Sequence, residues 1–238
     1  MKNNYLDSNI IFENKFSQEI LILAQNIVIK DKLDLKDNFI MEVFKYFCEI
    51  SEKFDDINYS YLHILNYPNN KTYRKIFPIK KYNSYHTEVY LIKIIALFDR
   101  FLHLINLLYD LKLNGLNLKI DNIKKSNKIG DNILLTLENF NNKITELRKS
   151  QNYIKHEGTL DIVELQKIST YEFLLSHGKD LDEETKRAMN LFIKLEFKKY
   201  KRGHRDKLLA NTKGIAEFIN NILGELCPIF TNKINEFK

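Results

Sequence analysis

Tryptophan is absent from this chain, and its 238 residues include only 7 glycines, 3 prolines and 2 cysteines. Each shortage excludes something. Few forced turns over this length favour long helices. Cys48 and Cys227 stand far apart and form no Cys-x-x-Cys, so neither a disulfide framework nor a zinc arrangement is expected. They read as buried small hydrophobes in a reducing compartment. No apolar run reaches about eighteen residues, which predicts no transmembrane helix. Acidic and polar residues interrupt the N-terminal segment, which lacks the core of a signal peptide, and a cytoplasmic protein is expected. There is no glycine-rich phosphate loop, no Gly-x-Ser-x-Gly elbow and no His-Glu-x-x-His. His63, His86, His177 and His204 are scattered, so no metal and no cofactor is expected.

What remains is globular and basic. The formal net charge is +6, with a pI near 9.0. That suits a nucleic-acid partner without establishing one.

Apolar residues recur at helical spacing along most of the chain. Over 17–30 they are Ile20, Leu21, Leu23, Ala24, Ile27 and Val28, with Ser17 as the expected N-cap. After Asp37 they are Phe39, Ile40, Val43, Phe44, Phe47, Ile50 and Phe54, and 58–66 reads as a further short helix. Pro68 and Pro78 bracket a connecting loop, expected over 67–83. It gathers Lys71, Arg74, Lys75, Lys80 and Lys81 with Tyr73 and Tyr82. Rings interleaved with cations suit a single-stranded nucleic acid, although a solvated loop has the same composition. Residues 84–112 carry the broadest stripe: Leu91, Ile94, Ile95, Phe98, Leu102, Ile105, Leu108 and Tyr109. Asp99 and His103 lie four apart on it and are placed to pair, with Arg100 beside them.

A short helix is expected within 118–129, then a long one capped at Asp131 and carried by Ile133, Leu134, Leu137, Phe140, Ile144 and Leu147. The next is expected from Thr159 to His177, and another from Asp182-Glu183-Glu184, where acidic residues suit the positive end of the helix dipole. That helix runs into Lys198-Lys199-Tyr200-Lys201-Arg202-Gly203-His204-Arg205-Asp206-Lys207, the densest basic run of the chain. Lys198, Lys199, Lys201, Arg202 and Arg205 are the candidate phosphate ligands; a solvated turn is the plainer reading. A last helix is expected over 205–226, stopping before Pro228.

The stretch from Leu147 to Gly158 concentrates the polar chemistry. Arg148, Asn152 and His156 are four apart, so they share one stripe of a helix turning about 100° per residue. A His in the last turn is favoured in its protonated form by the free carbonyls, and Gly158 follows as a helix stop. An ordinary solvated helix end would look the same.

Gln151-Asn152-Tyr153-Ile154-Lys155-His156 resembles the Arg-Asn-x-x-x-His motif of HEPN domains, helical domains found in toxins, CRISPR-associated nucleases and abortive-infection proteins. The helix from Tyr90 to Asn106 is similar to the first core helix of some HEPN families. The resemblance covers roughly residues 84 to 226, with one departure: Gln151 stands where the family has its Arg. A tyrosine two residues after the His marks the nucleotidyl-transfer variant; here that position is Gly158, and the variant is not expected.

The resemblance implies an all-α protein: an HEPN-like antiparallel helical bundle over 84–238 with an N-terminal helical extension over 1–83. It implies a metal-independent endoribonuclease of the toxin or phage-defence kind, without cofactor. His156 would be the general base on the RNA 2′-hydroxyl, and Asn152 would orient the phosphate or the His. Gln151 occupies the motif's cation position, so Arg148 or Arg100 would supply the charge. It further implies a homodimer sharing one cleft, with an antitoxin or defence-complex protein as a candidate partner. The alternative is a catalytically inactive module that binds RNA or protein. A helical interaction protein unrelated to nucleic acid is the third reading.

Overall fold

The structure, a computed structural model, describes residues 8–68, 76–157, 162–178 and 180–237, with side chains described except at 8, 9, 146 and 150–157. The described residues form α-helices and short 3-10 turns, with no strand among them.

Helix α1 spans Lys15–Val28 and α2 spans Leu35–Leu65. The cap of α1 is Asn14, not Ser17: its side chain accepts the Ser17 amide. Ser17 instead lies fully buried, and its hydroxyl donates to the Ile11 carbonyl at 2.7 Å. Asp34 and Asp37 close a reciprocal capping box on α2, and Lys30 reaches Asp37 at 2.7 Å. The apolar positions of α2 continue without a phase break through Ile57, Tyr61 and Ile64, all buried. The short helix expected at 58–66 is therefore the end of α2.

Helix α3 spans Ile79–Leu108 and starts inside the expected loop. Pro78 precedes its first turn, and the Glu172 carboxylate accepts the Ile79 amide at 3.0 Å. Lys80, Lys81 and Tyr82 are thus helical, while Lys71, Tyr73, Arg74 and Lys75 lie outside the described residues. Tyr82 is only 3% exposed, so it offers no face to a base.

Helix α4 spans Ile120–Lys125, α5 spans Asp131–Glu157, α6 spans Gln166–His177 and α7 spans Glu183–Glu236. A cap on α7 comes from Asp182, whose carboxylate accepts the Thr185 amide at 2.7 Å. At 54 residues, α7 is about 80 Å long. The expected turn at Gly203 and stop before Pro228 do not occur. Gly203 costs its helix about 1 kcal/mol, while Phe197 and Tyr200 on the preceding turns stay buried. Pro228 removes one helical bond, to the exposed Gly224, at a cost of about 3 kcal/mol. Beyond it Phe230 is fully buried between Phe16 (5.4 Å between ring centres) and Phe39 (6.4 Å), so packing outweighs the lost bond.

One core unites α1, α2, α3, α5 and the second half of α7; the helices before residue 83 share it with those after. At its centre Phe140 stacks on Phe218 at 4.0 Å, and Phe98 lies 5.8 Å from Phe140. A second cluster joins Ile79, Ile162, Leu165, Ile168, Ile193, Phe197 and Tyr200. It seats α6 and the first half of α7 on the start of α3.

Candidate functional site

Helices α3 and α5 run antiparallel. Lys128, just before α5, donates to the carbonyl of Asp110, just after α3, at 3.2 Å. Farther along the pair, Arg148 of α5 meets Asp99 of α3 at 3.8 Å. Arg148 also donates to Asn141 at 2.8 Å and lies 5.5 Å from the centre of the Phe98 ring. The guanidinium therefore reaches back two turns toward the start of α5, away from residue 156. Desolvation at this crossing raises the Asp99 pKa, and Arg148 is the strongest charge pulling it back.

Arg100 faces α2, with its Nε 3.2 Å from the Glu49 carboxylate. His103 does not complete a pair with Asp99; it lies parallel to the Tyr46 ring at 5.6 Å. Burial, then the Arg100 charge, lowers its pKa, so the ring is neutral at pH 7. The structure thus joins Asp99 to Arg148 and Glu49 to Arg100, as two separate bridges on either side of α3.

The motif segment forms the last two turns of α5. Position 156 stands about 12 Å beyond Arg148 along the axis, on the same stripe as 152. The side chains of Gln151, Asn152 and His156 lie outside the described residues.

The basic run is a helical surface. Lys198, Lys199, Arg202, Arg205 and Lys207 are exposed. Lys198, Arg202 and Arg205 fall within about 60° of one another around the axis. Lys201 turns inward, 5.2 Å from the centre of the Phe197 ring. Tyr200 is buried, which pushes its hydroxyl pKa up to about 12. Arg205 is tied to Asp206 at 3.1 Å, and His204 lies 3.9 Å from Glu164.

Two features escaped the sequence. His63 at the end of α2 bonds the Tyr82 hydroxyl at 2.6 Å and stacks on His86 at 4.4 Å. Burial, and behind it the neighbouring His63, pulls the His86 pKa down to about 4. These residues sit 19 and 23 positions apart, so no local spacing joins them. An open cleft of about 950 Å³ lies between α6, α7 and the start of α3, lined by Ile79, Glu172, Phe173, Lys186 and Asn190 among others. Its Glu172 is occupied in capping α3.

Among the described residues, no group of three or more His, Cys, Asp and Glu side chains is placed to hold a metal ion. No described helix is long and apolar enough to cross a membrane. Compared with known proteins, the chain matches no family model, no curated protein and no solved structure.

Proposed function

We propose that this protein is an HEPN-like, metal-independent endoribonuclease of the toxin or phage-defence kind, working in the cytoplasm with His156 as general base. One observation carries the reading: α5 continues unbroken through residue 157. Helix geometry then keeps positions 148, 152 and 156 on one stripe and sets 156 in the last turn. There the free carbonyls favour a cationic imidazole, which is the form a general base takes as it accepts a proton. The exposed stripe of Lys198, Arg202 and Arg205 on α7 supports an RNA partner, with Lys199 beside it.

The chemistry needs no metal. His156 takes the 2′-hydroxyl proton, the 2′-oxygen attacks phosphorus, the P–O5′ bond breaks, and the leaving 5′-oxygen takes a proton from water, while His156 later returns its proton to solvent. The products end in 2′,3′-cyclic phosphate and 5′-hydroxyl. Asn152 orients the phosphate. Charge on the phosphorane needs a cation. Gln151 cannot provide one, and Arg148 and Arg100 are engaged by Asp99 and Glu49 within the chain. A second copy facing the motif helix would complete the site once Arg148 or Arg100 of either copy leaves its carboxylate for the phosphate.

Those two engaged arginines also favour a second reading: a module that binds RNA, an antitoxin or a defence-complex protein without cutting. An RNA cleavage assay in EDTA, comparing wild type with His156→Ala, separates the two. Cleavage by the wild type alone, leaving cyclic phosphate ends, supports the nuclease. Salt-sensitive binding with no cleavage by either protein supports the module. Absence of both refutes an RNA function.

A further inference from the structure

The first half of α7 carries a surface that no described residue covers. Glu184, Ala188, Leu191, Leu195, Lys198, Arg202 and Arg205 follow one another at alternating steps of four and three, and all seven are exposed. That is the spacing of a coiled-coil seam. Its centre is apolar: Leu191 is 57% and Leu195 55% exposed. Its ends are opposite in sign, with Glu184 at one and Lys198 and Arg202 at the other. Glu184 and Arg202 form no ion pair with any described residue.

We propose that this strip pairs with the same strip of a second copy, antiparallel, about a twofold axis between Leu191 and Leu195. In that register Leu191 of each copy meets Leu195 of the other. Ala188 sits under the aliphatic stem of Lys198, and Glu184 meets Arg202 at both ends. The pattern is self-complementary only when the strands oppose; a parallel pair would set Glu184 on Glu184 and Arg202 on Arg202. The paired length from 184 to 202 is about 27 Å, which makes a small interface and a weak, concentration-dependent dimer. Arg187 flanks the strip and approaches Lys198 of the second copy, which weakens it further. The seam lies on α7, apart from the motif helix α5, and the inference does not rest on the RNA reading.

Sedimentation velocity of the full chain over a concentration series tests it. The wild type is expected to show a monomer–dimer equilibrium. Leu191→Asp with Leu195→Asp should weaken association by about a hundredfold, with the helical circular dichroism retained and the melting temperature lowered only slightly, because both positions are more than half exposed. Glu184→Arg alone and Arg202→Glu alone should each weaken it several-fold, and the two combined should restore it. A chain monomeric at every concentration overturns the proposal. So does a dimer indifferent to the leucine changes, including one formed through α5, and so does failure of the double charge swap to recover.

Discussion

The stacked His63–His86 pair makes a quantitative prediction about acid stability. In the folded chain His86 keeps its ring neutral down to about pH 4. In the unfolded chain it takes a proton near pH 6.5. Between those values the unfolded state holds more protons, so stability is full above pH 6.5 and falls as pH falls toward 4. The whole shift is worth about 3.4 kcal/mol at 1.36 kcal/mol per unit. His86 is partly open to solvent, which screens its charge; halving the figure leaves about 1.7 kcal/mol. His86→Phe keeps a ring against His63 and Tyr82 but has no proton to take. Urea unfolding of both proteins, at steps from about pH 7.5 to 4.5, isolates the contribution from that of the carboxylates. The stability difference, wild type minus variant, should fall by about 1.3 kcal/mol across that range, which stops short of the folded value, most of it below pH 6.5. Parallel stability curves would refute the reasoning, because they would mean His86 titrates alike in both states.

Gly203→Ala tests whether α7 is continuous. No atom lies within 4 Å of the added methyl, so unfolding free energy should rise by about 1 kcal/mol; no gain would argue for a turn there. Phe140→Ala removes the ring stacked between Phe98 and Phe218 and should cost about 3–4 kcal/mol in chemical denaturation. Arg148→Ala breaks the bond to Asn141 and leaves Asp99 without its nearest cation, at about 1–2 kcal/mol, and Arg148→Lys should recover little because it lacks the planar fork. If Lys198 and Arg202 serve both phosphates and the second copy, a polyanion such as heparin should shift sedimentation toward monomer, and more so at low salt.

Most of the fold was legible because its helices bury wide apolar stripes. Phe47, Ile50 and Phe54, or Ile94, Phe98 and Ile105, announce a helix from spacing alone. Boundaries failed where tertiary contacts overrode local signals. Gly203 and Pro228 are helix breakers by propensity, yet Phe197, Tyr200 and Phe230 hold the helix through them. Pro78 looked like the far side of a loop, but the capping Glu172 comes from almost a hundred residues downstream. At the candidate site the sequence placed Arg148 and Asp99 on helices that do meet. It could not say which way a flexible guanidinium would turn, and Arg148 turns from the motif toward Asn141. Arg100 chose Glu49 on α2, a partner that no spacing within α3 reveals. Apolar residues lie on both sides of the first half of α7, so spacing alone did not show that Ile193 and Phe197 are buried while Leu191 and Leu195 stay exposed.

The unbroken α7 has a mechanical consequence. Its second half is gripped by the main core, with Ile215, Ile219, Ile222 and Leu226 all buried, while its first half projects past that grip. From Thr212 to Glu183 the projecting arm is about 43 Å long. A tilt of about 5° at the grip would swing its tip by about 4 Å over that length. The arm is strutted near its middle, where Tyr67 meets Phe197 at 6.0 Å, and α6 rides on it. Small repacking at the pivot is thereby converted into a large displacement of whatever the tip holds.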